Sequence, residues 1–334
     1  MRSPGALLAT TSATNDAATV MAAAAETLRA WVGFGPAFFA SADPATGALS
    51  GTFAFDIPDA AAAAFYANEL AGRDVVTFAS LAGAPVPVDS LFAATEGHPE
   101  RSSRWREVIS PLDWGDELRA AIRFDGTVFG YLCLHRDALD RRFTGKDVSR
   151  LTNILPVLAG ALRRVTLAAV PDTSRLETGV MLFDDKGQMV GLTGGAAAWL
   201  DELGPPSRDG LPLLIAGLAH HVLASGRTAT SSITTRAGRA GVLEAALMAG
   251  SPAPQVVIVV SAAPPSRRLE NLAAASGLTP RERQVVECVL SGHSTKAIAA
   301  ELGISPYTVQ AHLTSIFTKT GHRSRRDLIN RLRQ

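Results

Sequence analysis

The C-terminal segment, residues 278–334, contains three helix starts in close succession, and these constrain the fold more than any other feature. Thr279-Pro280-Arg281-Glu282 places a hydroxyl at the N-cap, proline at the first helical position and a carboxylate at the third. Ser305-Pro306 repeats the cap and the proline, and Ser324-Arg325-Arg326-Asp327 has the form of a capping box. The segment is therefore predicted to be all-α, with helix ends marked by Gly277, Gly292, Gly303 and Gly321.

Apolar residues between these limits recur with the period of an α-helix. They form three faces, made of Val285, Val286, Val289 and Leu290, then Ile298 and Leu302, then Val309, Leu313, Ile316 and Phe317. Only Gly303-Ile304 separates the second helix from the third, which is too short for an antiparallel return and predicts a helix-turn-helix. The third helix presents short polar residues away from its apolar stripe, as a major groove requires.

In order and spacing, these pieces resemble the C-terminal DNA-binding domain of the LuxR/FixJ type, a four-helix family of bacterial regulators. The matching segments are LTPRERQVV, SGHSTKAIAAELGIS, TVQAHLTSIFTKTG and SRRDLI. The resemblance implies base-facing positions at Gln310, Ala311 and Thr314, and backbone-contacting positions at Lys296, Thr308, His312 and Lys319. It also implies a dimer contact on the fourth helix through Leu328, Ile329 and Leu332, with packing on the first helix as the alternative.

The residue types suit these roles. Gln310 can form two hydrogen bonds with adenine, and the Thr314 methyl group can meet that of thymine. Lys296 and Lys319 can neutralise phosphates, and His312 is expected to donate to one. Relatives often carry lysine at the position of Gln310 and glutamate at that of Ala297. We therefore expect a different operator from that of the lysine-bearing relatives.

Charge is divided unequally along the chain. Residues 267–334 hold 11 Lys and Arg against five Asp and Glu, whereas the remainder holds 21 against 26. A basic tail on an acidic body predicts a polyanionic partner, here double-stranded DNA. A merely solvated basic surface is the alternative.

Residues 16–170 are predicted to form an α+β domain. The expected elements are a helix at 16–32, strands at 37–42 and 50–56, a helix after Asp56-Ile57-Pro58, a hairpin of 118–124 and 127–135 across Asp125-Gly126, and a long helix at 145–166. The block resembles a GAF domain, a fold of bacterial sensory proteins, through WGDELRAAIR, GYLCLHR and FTGKDVSRLTNILPVLAGALR.

Residues 175–262 are predicted to form a second α+β domain. The expected elements are strands at 178–183 and 188–192, helices at 194–202 and 212–225, and three strands ending in QVVIVVSA. This order resembles a PAS domain, another small sensor fold. Residues 1–15 are predicted to be a flexible tail, 263–276 a linker and 277–334 the DNA-binding domain.

The sequence thus predicts a cytoplasmic, dimeric transcription regulator that binds DNA and is controlled by an unidentified small molecule or a conformational signal. The alternative is a sensor whose helix-turn-helix serves only protein–protein contact. Asp184-Asp185 follows a strand as in a phosphoreceiver, but no strand ending in aspartate follows near 224–229. We therefore predict a hairpin turn there and no control by phosphorylation.

No catalytic site, metal site or cofactor is predicted. His220-His221 has no partner at ligand spacing, and Asp113, Asp116 and Glu117 are expected to be turn and solvated-edge residues. Cys133 and His135 share one strand face, which leaves haem binding or thiol sensing open beside a buried structural cysteine. No apolar run reaches the roughly 18–20 residues of a membrane span.

Overall fold

The computed structural model describes residues 16–168, 176–203, 211–235, 239–250 and 253–333. The predicted tail at 1–15 lies outside the described residues. As expected from the sequence, two α+β blocks precede a group of helices.

The first block contains a five-stranded antiparallel sheet in the order β2-β1-β5-β4-β3. Its strands are β1 (Ala37–Ala42), β2 (Leu49–Phe55), β3 (Val88–Ser90), β4 (Trp114–Phe124) and β5 (Thr127–Asp137). Its helices are α1 (Ala17–Trp31), α2 (Asp59–Ala71), α3 (Phe78–Gly83), α4 (Leu91–Ala94) and α5 (Gly145–Ala168), with short helical turns at Pro99–Arg101, Trp105–Ile109 and Ser110–Leu112. The predicted hairpin is confirmed, and Asp125 and Gly126 both take the positive φ of a tight two-residue turn.

The second block contains a five-stranded antiparallel sheet in the corresponding order, β7-β6-β10-β9-β8. Its elements are β6 (Gly179–Phe183), β7 (Met189–Leu192), α6 (Gly194–Leu203), α7 (Leu213–Ser225), β8 (Ala229–Thr234), β9 (Ala240–Leu247) and β10 (Val256–Ala262). Asp184-Asp185 lies in the turn of the β6–β7 hairpin, as predicted. Asp184 Oδ1 stabilises this turn by accepting hydrogen bonds from the backbone N–H groups of Lys186 and Gln188 at 2.9 and 2.8 Å.

The two blocks share one apolar core. Helix α2 packs on α7, where Gly217 lies against Tyr66 so closely that a Cβ atom on the glycine would come within 2.4 Å of the ring. Ser231 of β8 donates a hydrogen bond to the carbonyl oxygen of Leu49 in β2 at 3.0 Å. The core runs from Phe38 in the first sheet to Trp199 beneath the second. Because this core is continuous, a change in one block can reach the other through packed side chains.

Residues 263–276, which were predicted to be a linker, are helical over most of their length. They include helix α8 (Pro265–Ser276), which Pro265 begins because proline is favoured in the first helical turn. Leu269 and Leu272 on this helix belong to the apolar core of the C-terminal helices.

The polar side of α8 is fixed to the first block. Asn271 bonds to the loop after β1, accepting from the backbone N–H of Ala45 at 3.3 Å and donating to Asp43 Oδ2 at 3.2 Å. Arg163 Nε of α5 donates to the carbonyl oxygen of Ala275 at 2.7 Å. We call these three hydrogen bonds the α8 clamp. They connect the C-terminal helices directly to the first block.

Candidate nucleic-acid interface

Four short helices follow α8, and three of them begin at the caps that the sequence predicts, while Ser294 caps the second. They are α9 (Pro280–Leu290), α10 (Thr295–Leu302), α11 (Pro306–Thr320) and α12 (Arg325–Arg333). The capping box of α9 is complete, since Thr279 Oγ1 accepts from the N–H of Glu282 and Glu282 Oε2 accepts from that of Thr279, at 3.2 and 2.7 Å. At α12 only half of the predicted box forms, because the Asp327 carboxylate accepts from Arg323 instead of Ser324.

Helix α11 divides into a buried stripe and an exposed face. Val309, Leu313 and Ile316 are at most 1% exposed and pack in the domain core. The predicted base-facing residues Gln310, Ala311 and Thr314 are all exposed.

The details of this face suit a groove. Tyr307, at the start of α11, is 85% exposed. The Thr314 hydroxyl donates to the Gln310 carbonyl oxygen at 3.1 Å, so its methyl group is the part left for an apolar contact. The turn before α11 is held by Gly303, whose φ of 64° places it in the left-handed region. The structure thus brings the predicted base-facing residues onto one short, polar helix face.

The predicted backbone-contacting residues lie around this face. Lys296 is exposed in the first turn of α10, while Thr308 and His312 are half-buried on the flank of α11. The Thr308 backbone N–H donates to the cap oxygen of Ser305 at 3.0 Å. Together with the positive end of the α11 dipole, this edge favours an anionic partner.

Lys319 takes part in an ion pair that the sequence did not reveal. Its Nζ atom donates to Glu282 Oε2 at 2.7 Å and to the Gly277 carbonyl oxygen at 3.2 Å. Ser315 Oγ donates to the other carboxylate oxygen of Glu282 at 2.6 Å. Burial raises the pKa of Glu282, but the hydrogen bonds from Lys319, Ser315 and Thr279 outweigh it and lower the pKa to about 2. One carboxylate therefore links the start of α9 to the end of α11.

The residues expected to form a dimer contact belong instead to the core of the domain. Leu328 and Leu332 are 0% and 1% exposed and pack with the apolar residues of α8 to α11, while Ile329 is partly buried beside them. This arrangement agrees with the alternative given above, in which the fourth helix of the domain, α12, packs on the first, α9. A polar side chain of α12, Arg331, reaches the first block and donates to the Thr166 carbonyl oxygen at 3.1 Å.

A buried charged cluster under the first sheet was missed by sequence reasoning. Arg104 Nε donates to Glu117 Oε2 at 2.9 Å, and Arg119 donates to Glu69 Oε2 at 2.6 Å. Both arginines have no exposed surface. The residue pattern within a strand does not predict these pairs, because the arginine and the carboxylate of each pair lie on different elements.

Two acidic residues of β4 were wrongly assigned to a solvated edge. Asp116 and Glu117 are 1% and 0% exposed, because β4 is buried on both faces from Trp114 to Ile122. Asp113 does occupy a turn, with a φ of 57°. The Asp116 carboxylate accepts from the backbone N–H of Phe143 at 2.9 Å, so it holds the chain before α5.

Cys133 and His135 lie side by side in β5 with no exposed surface. Burial raises the pKa of the Cys133 thiol far above its ordinary value and lowers the pKa of His135 to about 4. The centroid of the His135 ring lies 4.4 Å from that of Trp114, with an angle of 34° between the ring planes. A protonated thiol and a neutral imidazole in a packed core favour the structural interpretation of the cysteine over thiol sensing.

Residues 276–332 match the family described as bacterial regulatory proteins, luxR family. This segment is a luxR-family helix-turn-helix domain. Over 44 residues the chain is 50% identical to the transcriptional regulatory protein FixJ of Azorhizobium caulinodans, and the match covers 13% of this chain and 21% of FixJ. It is 52% identical over 44 residues to UhpA of Escherichia coli, covering 13% and 22%. The chain thus spans only about a fifth of these relatives, and the matches rest on the luxR-family domain alone.

Solved structures resemble the chain only distantly. A Vibrio cholerae VqmA–ligand–DNA complex is 18% identical, with coverage of 51% of this chain and 84% of that one and a TM-score of 0.24. The bacteriophytochrome RpBphP3 of R. palustris is 14% identical, with coverage of 86% and 74% and a TM-score of 0.34. Scores this low leave the arrangement of the first two blocks unassigned. Within the described ranges no helix combines the length and apolar character of a membrane span.

Proposed function

We propose that this protein is a dimeric transcription regulator that binds specific DNA sequences through α11. The observation that carries the proposal is the exposed polar face of Gln310, Ala311 and Thr314 on a luxR-family domain. Lys296 and the flank of Thr308 and His312 supply the contacts to the DNA backbone. In a dimer, two such helices can meet half-sites one helical turn apart. A helix-turn-helix used only for protein contact is the competing function.

Lys319 stays in the proposed backbone-contacting set, but with a second role. Its ammonium group has three donors, and Glu282 and Gly277 occupy two of them. One donor is left for a phosphate. We therefore expect Lys319→Ala to weaken both DNA binding and the stability of the domain, which makes Lys296 the cleaner probe of a phosphate contact.

We further propose that the first two blocks are a GAF-like and a PAS-like sensor that control DNA binding without phosphorylation. The α+β architecture of both blocks and the α8 clamp support this proposal. The hairpin at Asp184-Asp185 argues against a phosphoreceiver, since the Asp184 carboxylate accepts hydrogen bonds from the backbone of the turn. A small-molecule ligand of unknown identity or a conformational signal would act through the shared core.

Removal of one lysine should flatten the salt dependence of DNA binding. We expect Lys296→Ala to reduce the slope of log K against log salt by about 0.9, because each neutralised phosphate contributes about that much. Fluorescence anisotropy of the full-length protein with labelled duplex DNA over a range of salt concentrations measures the slope. Lys146→Ala is the matched control, because it removes an exposed lysine from α5 and should leave the slope unchanged. Equal slopes for wild type and Lys296→Ala would remove Lys296 from the interface.

Replacement of Gln310 should change the selected sequence. A glutamine pairs with adenine and a lysine with guanine, so Gln310→Lys should favour guanine at one position in each half-site, by roughly 1–3 kcal/mol. Selection from a random duplex library with both proteins measures this preference. Thr308→Ala is the comparison, since it should weaken binding to all sequences alike. An identical motif from wild type and Gln310→Lys would show that the recognition face is misassigned.

A further inference from the structure

Three metal-ligating side chains converge where α9 ends and α10 packs beside it. Cys288, His293 and Glu301 each bring one donor atom to within 4.8 Å of the other two. His293 Nδ1 and Glu301 Oε2 are 2.6 Å apart. Cys288 is buried at 6% exposure, whereas the imidazole and the carboxylate are 40% and 50% exposed. The cluster therefore has one donor in the core and an open side through which an ion can enter.

The backbone holds these donors in place. The turn after α9 closes with a hydrogen bond from the His293 N–H to the Cys288 carbonyl oxygen at 3.0 Å, and Gly292 has a φ of 83° there. Arg325 of α12 donates to the His293 carbonyl oxygen at 3.1 Å and to Thr295 Oγ1 at 2.9 Å. Glu301 is carried by α10, which packs on this turn. Such preorganisation lowers the cost of gathering three ligands around an ion.

The donor set selects the kind of ion. A thiolate, an imidazole and a carboxylate are ligands of Zn²⁺, which binds four donors in a tetrahedron and accepts water in an open fourth position. Mg²⁺ and Ca²⁺ prefer oxygen donors and disfavour a thiolate. With the thiol deprotonated, the cluster carries two negative charges, which match a divalent cation. The Glu301 carboxylate contacts both the His293 imidazole and the Cys288 thiol, so the three donor atoms already face one point.

We propose that Cys288, His293 and Glu301 bind a divalent transition-metal ion of the Zn²⁺ type. Binding releases the proton of the Cys288 thiol and replaces the His293–Glu301 contact by two bonds to the metal. The ion would connect the end of α9 to α10. This site is independent of DNA binding, because none of its residues belongs to the proposed interface.

Titration of the reduced, metal-free full-length protein with Co²⁺ tests the site, with Co²⁺ standing in for Zn²⁺. We expect one equivalent to produce a thiolate-to-cobalt charge-transfer band that Zn²⁺ abolishes by competition. Cys288→Ser should eliminate the band, and Glu301→Gln should weaken binding more than about 10-fold, since even outer-shell partners of metal ligands are worth 10–100-fold. His220→Asn, an exposed histidine of α7, is the matched control and should bind normally.

The absence of a charge-transfer band with excess Co²⁺ would overturn the proposal, as would a band that persists in Cys288→Ser. If Cys288→Ser does not fold, Glu301→Gln decides the outcome, because its exposed side chain tolerates substitution. Unchanged affinity in that variant would contradict the site. Zn²⁺ should also protect Cys288 from alkylation in the wild type, and equal alkylation with and without Zn²⁺ would contradict it as well.

Discussion

Acidification from about pH 5 to about pH 2 is expected to cost the C-terminal domain on the order of 3 kcal/mol through Glu282 alone. The carboxylate is only 4% exposed, and its pKa is lowered from 4.5 to about 2. Burial acts in the opposite direction, but the bonds from Lys319, Ser315 and Thr279 prevail. A group whose folded pKa is depressed contributes stability above its unfolded pKa. That contribution is lost as the pH falls through the folded value.

Urea unfolding of residues 263–334, followed by circular dichroism at several pH values, measures this effect. Glu282→Gln keeps the shape of the side chain but cannot ionise, so its stability should depend less on pH over this range. Glu301→Gln is the matched control, because that carboxylate is 50% exposed and its removal should leave most of the dependence in place. If Glu282→Gln loses as much stability on acidification as the wild type, the ion pair with Lys319 does not hold the domain together.

Release of the α8 clamp is expected to change the DNA affinity of the full-length protein about 5–150-fold, toward the affinity of the isolated domain. Asn271 and Arg163 hold α8 to the first block, and Leu272 on the same helix packs in the core of the luxR-family domain. A signal in the first block can change the DNA affinity of the luxR-family domain only if the two conformations of the protein differ in these contacts. The clamp is a direct link for such a bias, beside the hydrogen bond from Arg331 to the Thr166 carbonyl oxygen.

Anisotropy on one operator, with full-length wild type, the Asn271→Ala/Arg163→Ala double variant and residues 263–334, measures the coupling. The double variant should approach the isolated domain. Arg101→Ala, which removes an exposed arginine paired with Glu96, is the matched control and should behave as wild type. Identical affinities for all of these proteins would mean that the first two blocks do not influence DNA binding. A response to a phosphoryl donor would contradict the proposed mode of control.

Local signals allowed the C-terminal helices to be predicted. The Thr279 and Ser305 caps, the glycines and the helical period each act within a few residues, so the sequence contains them directly. The same holds for the Asp125-Gly126 hairpin. By contrast, Glu282 reads as a capping residue, and its partner Lys319 lies 37 positions away on another helix. Such a contact exists only after the helices pack.

The wrong predictions have the same physical origin. Leu328 and Leu332 form an apolar stripe that suits a dimer contact and a core equally well, and the structure places them in the core. Pro264-Pro265 marks the predicted linker and also begins α8, whose Leu269 and Leu272 pack with the C-terminal helices. Glu117 looked solvated because its buried partner Arg104 lies outside its strand. In each case the local pattern allows two structures, and packing selects between them.

Sequence-specific DNA binding is tested most directly by genome-wide capture of duplex fragments on the full-length protein at physiological salt. We expect a small set of fragments to be enriched, sharing a motif whose half-sites lie one helical turn apart or a multiple of it. Specific sites should bind typically 10³–10⁷-fold more tightly than random DNA. No enrichment by the folded wild-type protein, or recovery in proportion to fragment abundance, would contradict the proposed function.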